Sequence, residues 1–153
     1  MITKTILDKE TIPRVELDFM NNTHFEEIEM VKELGEIISS IQDDASNNQQ
    51  KHLSQKFNAW LDHTKAHFAR ENELMQETGF PAYSIHLNEH EMALKKMTSV
   101  IKAWQDNQDI DCVEDYVFNL WPEWFDGHVN TMDMVTAKFA VMNGYTNKLT
   151  STT

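Results

Sequence analysis

Seven histidines occur in this chain of 153 residues, and five of them fall with two carboxylates into a pattern that could hold metal: His24, His67 with Glu71, His86 with His90, and His128 with Asp133. Two of these pairs are four residues apart. On an α-helix that spacing sets both side chains on one face, about one turn apart. The groups come from four separate segments of the chain. If each segment is helical, a site drawing on all four lies in the middle of a bundle. Imidazole and carboxylate together suit borderline first-row metals such as iron.

The segments that must position these groups do read as helices. From about Phe19, the stripe begun by His24 continues through Ile28, Val31, Leu34, Ile38 and Ile41 in three- and four-residue steps. Asp43 to Gln50 is polar and reads as a loop. A second stripe carries Leu53, Phe57, Trp60, Thr64, His67, Glu71 and Leu74, and Thr78-Gly79-Phe80-Pro81 stops it. The third runs from about Tyr83 to Trp104 through His86, His90, Ala93, Met97 and Ile101, followed by a polar connection from Gln105 to Asp109. The fourth begins near Ile110 or Asp111 and reaches about Ala140, with Pro122 expected to kink it or to divide a short helix from a longer one. The expected fold is all-α, an up-down-up-down four-helix bundle over 19–142, with an extended N-terminal arm over 1–18 and a flexible tail over 143–153.

The five-residue step from His128 to Asp133 does not fit a regular helix. At about 100° per residue the two side chains stand roughly 140° apart. Either they splay from the edges of the inward face, or the helix widens locally into a π-type turn. We favour the widening.

Composition narrows the function classes. A net charge of −12 opposes nucleic acid and anionic membrane surfaces alike. The N-terminal MITKTILDKE has no apolar run of signal-peptide length, and no stretch approaches the ~20 apolar residues of a membrane span. The single Cys112 excludes an internal disulfide and is read as a passive, half-buried thiol. A cytoplasmic setting is expected.

A histidine on an apolar stripe is ordinarily a core residue with a hydrogen-bond partner. Here the stripe turns polar on every helix, and burying such groups unpaired costs roughly 1–3 kcal/mol each. Metal accounts for them better. Glu-x-x-His, used twice in carboxylate-rich di-iron bundles, is absent, as is the His-Glu-x-x-His of zinc hydrolases. A structural zinc site would favour cysteine. Five nitrogens and two carboxylates instead suit two metals bridged by both carboxylates and one solvent-derived oxygen. Three histidines then saturate one metal, and two leave the other with an open position for a small ligand such as dioxygen.

At this point the chain resembles the hemerythrin family, its bacterial single-domain members in particular. The resemblance spans about residues 15–140 and rests on DFMNNTHFEE, HTKAHFARENELM, GFPAYSIHLNEH and WPEWFDGHVNTMD. It implies two non-haem iron ions bridged by Glu71, Asp133 and a solvent-derived oxygen. His86, His90 and His128 would hold the saturated iron, and His24 and His67 the one that receives dioxygen. The implied activity is reversible dioxygen binding for storage, delivery or buffering, with a separate oxygen-consuming protein as possible recipient. The rival function is a di-iron redox enzyme or sensor acting on peroxide, nitric oxide or oxygen. No further acid–base pair is visible for an enzyme, and no length is left for a sensor's output domain, so a binding protein is expected. Iron storage ranks lower, because the chain has no acidic iron-collecting stretch.

Flanking residues carry further expectations. Trp124 matches an aromatic common beside the family's site, and Phe125 is expected to wall the dioxygen pocket. His63, Asp62 and Glu89 are candidate partners for the ligand imidazoles. His52 should be exposed, and Met75, Met92 and Met97 should fill the core.

Overall fold

The computed structural model describes residues 10–43 and 47–145. Among these, four helical rods form an all-α bundle without strands. Helix α1 spans Asp18–Asp43, α2 Asn47–Thr78 and α3 Tyr83–Asn107. The fourth rod is compound: α4 (Ile110–Asp115), a π turn (Tyr116–Leu120), α5 (Trp121–His128), a second π turn (Val129–Asp133) and α6 (Met134–Met142). Short connections reverse the chain at each step, so that α1 packs on α2, α2 on α3 and α6, and α3 on α4. No helix among the described residues is long and apolar enough to cross a membrane.

The apolar stripes meet as their periods require. Leu34, Ile38, Leu53, Phe57, Trp60, Met97, Trp104, Val113 and Val117 are all buried at one end of the bundle. Trp104 donates its indole N–H to Ser54 there, tying α3 to α2 at 2.9 Å. The polar stretches of the same stripes then fall at the other end.

Several boundaries differ from the sequence expectation. Asn47 to Gln50 belong to the first turn of α2, where a helix's unpaired N–H groups face water and polar residues are at home. Helix α3 continues three residues past Trp104, to Asn107, and closes on Gln108, whose left-handed backbone (φ 53°) lets its N–H reach Trp104 O. Asp109 then caps α4 by accepting from Cys112 N–H at 3.1 Å. Near Pro122 the rod divides, as expected, into the short α4 and the longer α5, with a π turn between them. In a regular helix the Pro122 ring would crowd the carbonyl four residues back. The preceding π turn, closed by Trp121 N–H on Tyr116 O, delivers Pro122 into the first turn of α5.

The described part of the arm packs rather than trails. Ile12, Val15 and Leu17 are buried, and Asn21 clamps the Val15 backbone through both its N–H and its carbonyl. At the other end Asn143 to Tyr145 turn back on α6, with Tyr145 N–H on Ala140 O and the Tyr145 ring 6.3 Å from Phe19. Residues 1–9 of the expected arm and 146–153 of the expected tail lie outside the described residues.

The stop after α2 is a Schellman turn: Phe80 N–H reaches Met75 O at 2.9 Å and Gly79 N–H reaches Gln76 O at 3.4 Å. Gly79 has φ +69°, and a Cβ there would meet nothing within 4 Å. Backbone strain alone therefore sets the cost of a side chain. Gly79→Ala should lower the unfolding free energy by about 1 kcal/mol in urea titration.

Candidate metal centre

All seven residues singled out by spacing converge in the polar half of the bundle. α1 supplies His24; α2 supplies His67 and Glu71; α3 supplies His86 and His90. His128 ends α5 and Asp133 ends the second π turn. None is more than 4% exposed. The π turn resolves the five-residue step. Met134 N–H reaches back five residues to Val129 O, and in a turn wound that widely residues five apart share a face.

Each carboxylate divides its oxygens between two groups of imidazoles. Glu71 Oε2 lies 2.8 Å from His67 Nε2, and Asp133 Oδ2 lies 2.9 Å from His24 Nε2. Asp133 Oδ1 lies 3.1 Å from His86 Nε2 and 3.2 Å from His128 Nε2, while Glu71 Oε1 lies 3.1 Å from His90 Nε2. The result is two clusters able to hold an ion, one of His24, His67, Glu71 and Asp133, the other of Glu71, His86, His90, His128 and Asp133.

The donor set fits cations better than it fits itself. Glu71 Oε1, Asp133 Oδ1 and His90 Nε2 are buried and make no hydrogen bond, despite lying close to polar neighbours. They belong to sets of ligand atoms that all lie within 4.8 Å of one another, as donors around an ion would. His86 and His128 likewise bring their Nε2 atoms within 3.1 Å. Five nitrogens and two carboxylates, with no thiolate among them, suit first-row metals that accept imidazole.

Outer contacts hold four of the five imidazoles by Nδ1 and so aim Nε2 inward. His86 pairs with the Thr136 hydroxyl at 2.8 Å, His90 with the Asn72 side-chain oxygen at 2.9 Å, His128 with Glu89 at 2.8 Å and His67 with Glu27 at 3.2 Å. His24 Nδ1 is buried without a partner. Of these outer groups the sequence reading named only Glu89. Glu27 carried a usable signal: a charged residue on the apolar stripe of α1, between His24 and Ile28. Asn72 and Thr136 carried none, since polar residues beside ligands are common on any helix.

The protein groups shift one another strongly. Burial pushes Asp133 up, yet His128, His24 and His86 hold it well below the usual carboxylate range. Burial and Asp133 push Glu71 up, and its contacts with His67 and His86 bring it down. Burial pulls His86 down, but the Asp133 and Glu71 carboxylates beside its Nε2 raise it to about 9. His90 is lowered, because burial outweighs Glu71. The two carboxylates are thus held anionic and draw positive charge onto His67, His86 and His128, the charge that a bound cation would supply in their place.

Aromatic rings line the cluster. Trp124 stacks on His128 with ring centroids 4.5 Å apart, and Phe68, unforeseen from sequence, stacks on His90 at 4.0 Å. Phe125 is buried and meets His24 edge-on at 5.5 Å. His63 reaches Glu27 and Glu26 rather than a metal-facing group. Asp62 and His52 are exposed. Met75 and Met97 are buried, but Met92, expected in the core, is 60% exposed, since it lies off the stripe of His90 and Met97. Cys112 is a half-buried free thiol.

A four-helix bundle enclosing two overlapping histidine–carboxylate clusters defines a class of cation-binding helical proteins. Comparison with known proteins agrees. The family described as the hemerythrin HHE cation binding domain matches residues 15–140, and the chain belongs to the hemerythrin family. Proteins named Bacteriohemerythrin are similar to it. That of Ralstonia nicotianae is 35% identical over 86 residues, 56% of this chain and 61% of that protein. Those of Aquifex aeolicus and Stenotrophomonas maltophilia are 28% and 27% identical over 78% and 79% of this chain, and 86% and 72% of their own lengths. No solved structure matches.

The Glu27–His63 contact makes stability depend on pH. Burial pushes Glu27 up, but His63 and His67 bring it from the usual 4.5 to about 2. His63 is raised above its usual 6.5, chiefly by its hydrogen bond to Glu27. The Glu27 contribution is present above pH 4.5 and lost as pH falls toward 2. The His63 contribution is present below pH 6.5 and lost as pH rises through its raised value. In metal-free protein, urea midpoints measured against pH should fall on the alkaline side of neutrality, and His63→Gln should flatten that fall.

Proposed function

We propose that this chain binds dioxygen reversibly at a non-haem di-iron centre, as a store, carrier or buffer of oxygen and not as an enzyme. The observation that carries the reading is the unequal sharing of two carboxylates. Glu71 and Asp133 belong to both clusters, yet one cluster has three imidazoles and the other two. On this reading His86, His90 and His128 complete one iron's coordination, while His24 and His67 leave the second with a free position. Glu71 and Asp133, which belong to both clusters, would hold both ions, with a solvent-derived oxygen as a further shared ligand. The bound iron pair would supply the electrons that dioxygen takes up and returns. The protein holds the imidazoles by their outer contacts and excludes water with buried rings. The relatives' name and the family's description support the same assignment. A cytoplasmic setting goes with the proposal, in keeping with the free Cys112 thiol.

The test is an anaerobic visible spectrum of the reduced, iron-loaded protein, taken before air, after air and after oxygen is stripped. A band that appears with air and vanishes on stripping is expected. A species that only a reductant reverses would reject the carrier reading in favour of a redox enzyme or sensor. Phe125 packs its ring against His24, at the two-imidazole half. An apolar wall there keeps water from the ligand position. Phe125→Ala should therefore raise the autoxidation rate several-fold, and an unchanged rate would remove Phe125 from the pocket wall.

A further inference from the structure

Glu27 is a third buried carboxylate, 1% exposed and outside the metal-facing set. Four donors on one stripe of α2 converge on it. Trp60 Nε1 donates to Oε2 at 2.5 Å, His63 Nδ1 and His67 Nδ1 reach Oε1 at 2.9 and 3.2 Å, and Thr64 Oγ1 lies 3.1 and 3.3 Å from the two oxygens. The indole N–H can only donate. A neutral acid would bring a competing proton into this crowd, so the geometry calls for the anion. Such an arrangement is a poor device for stability alone. Apolar residues of similar volume often replace buried charged networks without loss.

Its reach toward the metal-facing cluster is through His67 Nδ1. In the three-imidazole half, His86 and His90 lean on neutral oxygens of Thr136 and Asn72, and the Glu89 carboxylate behind His128 is 34% exposed and screened by water. In the two-imidazole half, His24 Nδ1 has no partner. The one outer contact in that half is therefore a fully desolvated anion.

We propose that Glu27 is the positioning residue of the two-imidazole half: it locks His67 with its proton on Nδ1 and its Nε2 lone pair on the centre, and its negative charge makes that nitrogen a stronger donor. This rests on the di-iron reading for its consequence. An imidazole backed by a carboxylate is more basic and favours the more oxidised ion. The half that meets dioxygen is then the one biased to give up an electron.

Cobalt(II) titration followed by its visible absorption reads the centre without oxygen chemistry, so its failure is separable from a failure of reversible dioxygen binding. Glu27→Leu should weaken one of two cobalt-binding steps by about 10–100-fold and leave the other unchanged. Glu27→Gln keeps an acceptor oxygen without the charge. It should recover most of that affinity, while the midpoint potential of the iron-loaded variant stays above that of the unaltered protein. Equal weakening of both steps, or of neither, would overturn the positioning role. An unaltered potential in Glu27→Gln would overturn the role of the charge.

Discussion

Glu71 and Asp133 lie on either side of His24 and His86 deep inside the bundle, and two carboxylates so placed must be neutralised where they stand. Water cannot do it, since both are essentially unexposed. Burial by itself pushes each toward its protonated form, and only the ring of histidines reverses the direction. This constraint organises the molecule. Two carboxylates facing one centre demand positive partners from every side, so each of the four rods contributes at least one imidazole. The opposite end of the bundle must then supply the apolar packing that the polar end forgoes. Phe57, Trp60, Trp104 and Leu34 do so, all nearly or fully inaccessible.

The same constraint explains the unequal halves. Glu71 and Asp133 each turn one oxygen toward His24 and His67 and the other toward His86, His90 and His128. A cation between the first pair meets fewer nitrogens than one among the second three. The outer contacts follow this division. Thr136, Asn72 and Glu89 steady all three imidazoles of the richer half, and the poorer half has Glu27 behind His67 alone. Ligand count and imidazole donor strength therefore differ together across the centre.

Most of the centre was legible in the sequence because helical spacing is geometry. His67 with Glu71 and His86 with His90 had to share faces once their segments were helical, and His24 lay at the head of the stripe that Ile28, Val31, Leu34, Ile38 and Ile41 continue. The outer contacts were less legible, because spacing along one helix does not say which residue of a neighbour it meets. Thr136 finds His86 fifty residues away in sequence. Glu27 was visible as a charge in an apolar stripe, but its four partners belong to α2. Boundaries suffered for a different reason. The polar run from Asn47 to Gln50 suits a loop and a solvated first turn equally well. Met92 was misplaced because residue type was weighed above its position between His90 and Met97.

The fourth rod shows how a spacing that offends one period can encode another. Its buried side chains include Val113, Val117, Trp121 and Phe125, then His128 and Asp133, then Ala137 and Ala140. Three consecutive four-residue steps would each precess by about 40° on a regular helix, swinging Phe125 far from the face of Val113. One five-residue step would do the same to Asp133. The two π turns lie within those intervals, at Tyr116–Leu120 and Val129–Asp133. Each takes up the extra rotation and returns the stripe to the core. The first also seats Pro122, and the second joins His128 to Asp133. Helix α5, held between them, can present Phe125 and His128 to the centre while α4 and α6 keep their own apolar faces inward. The strain of a wide turn is thus confined to the rod where a carboxylate and an imidazole five residues apart have to meet.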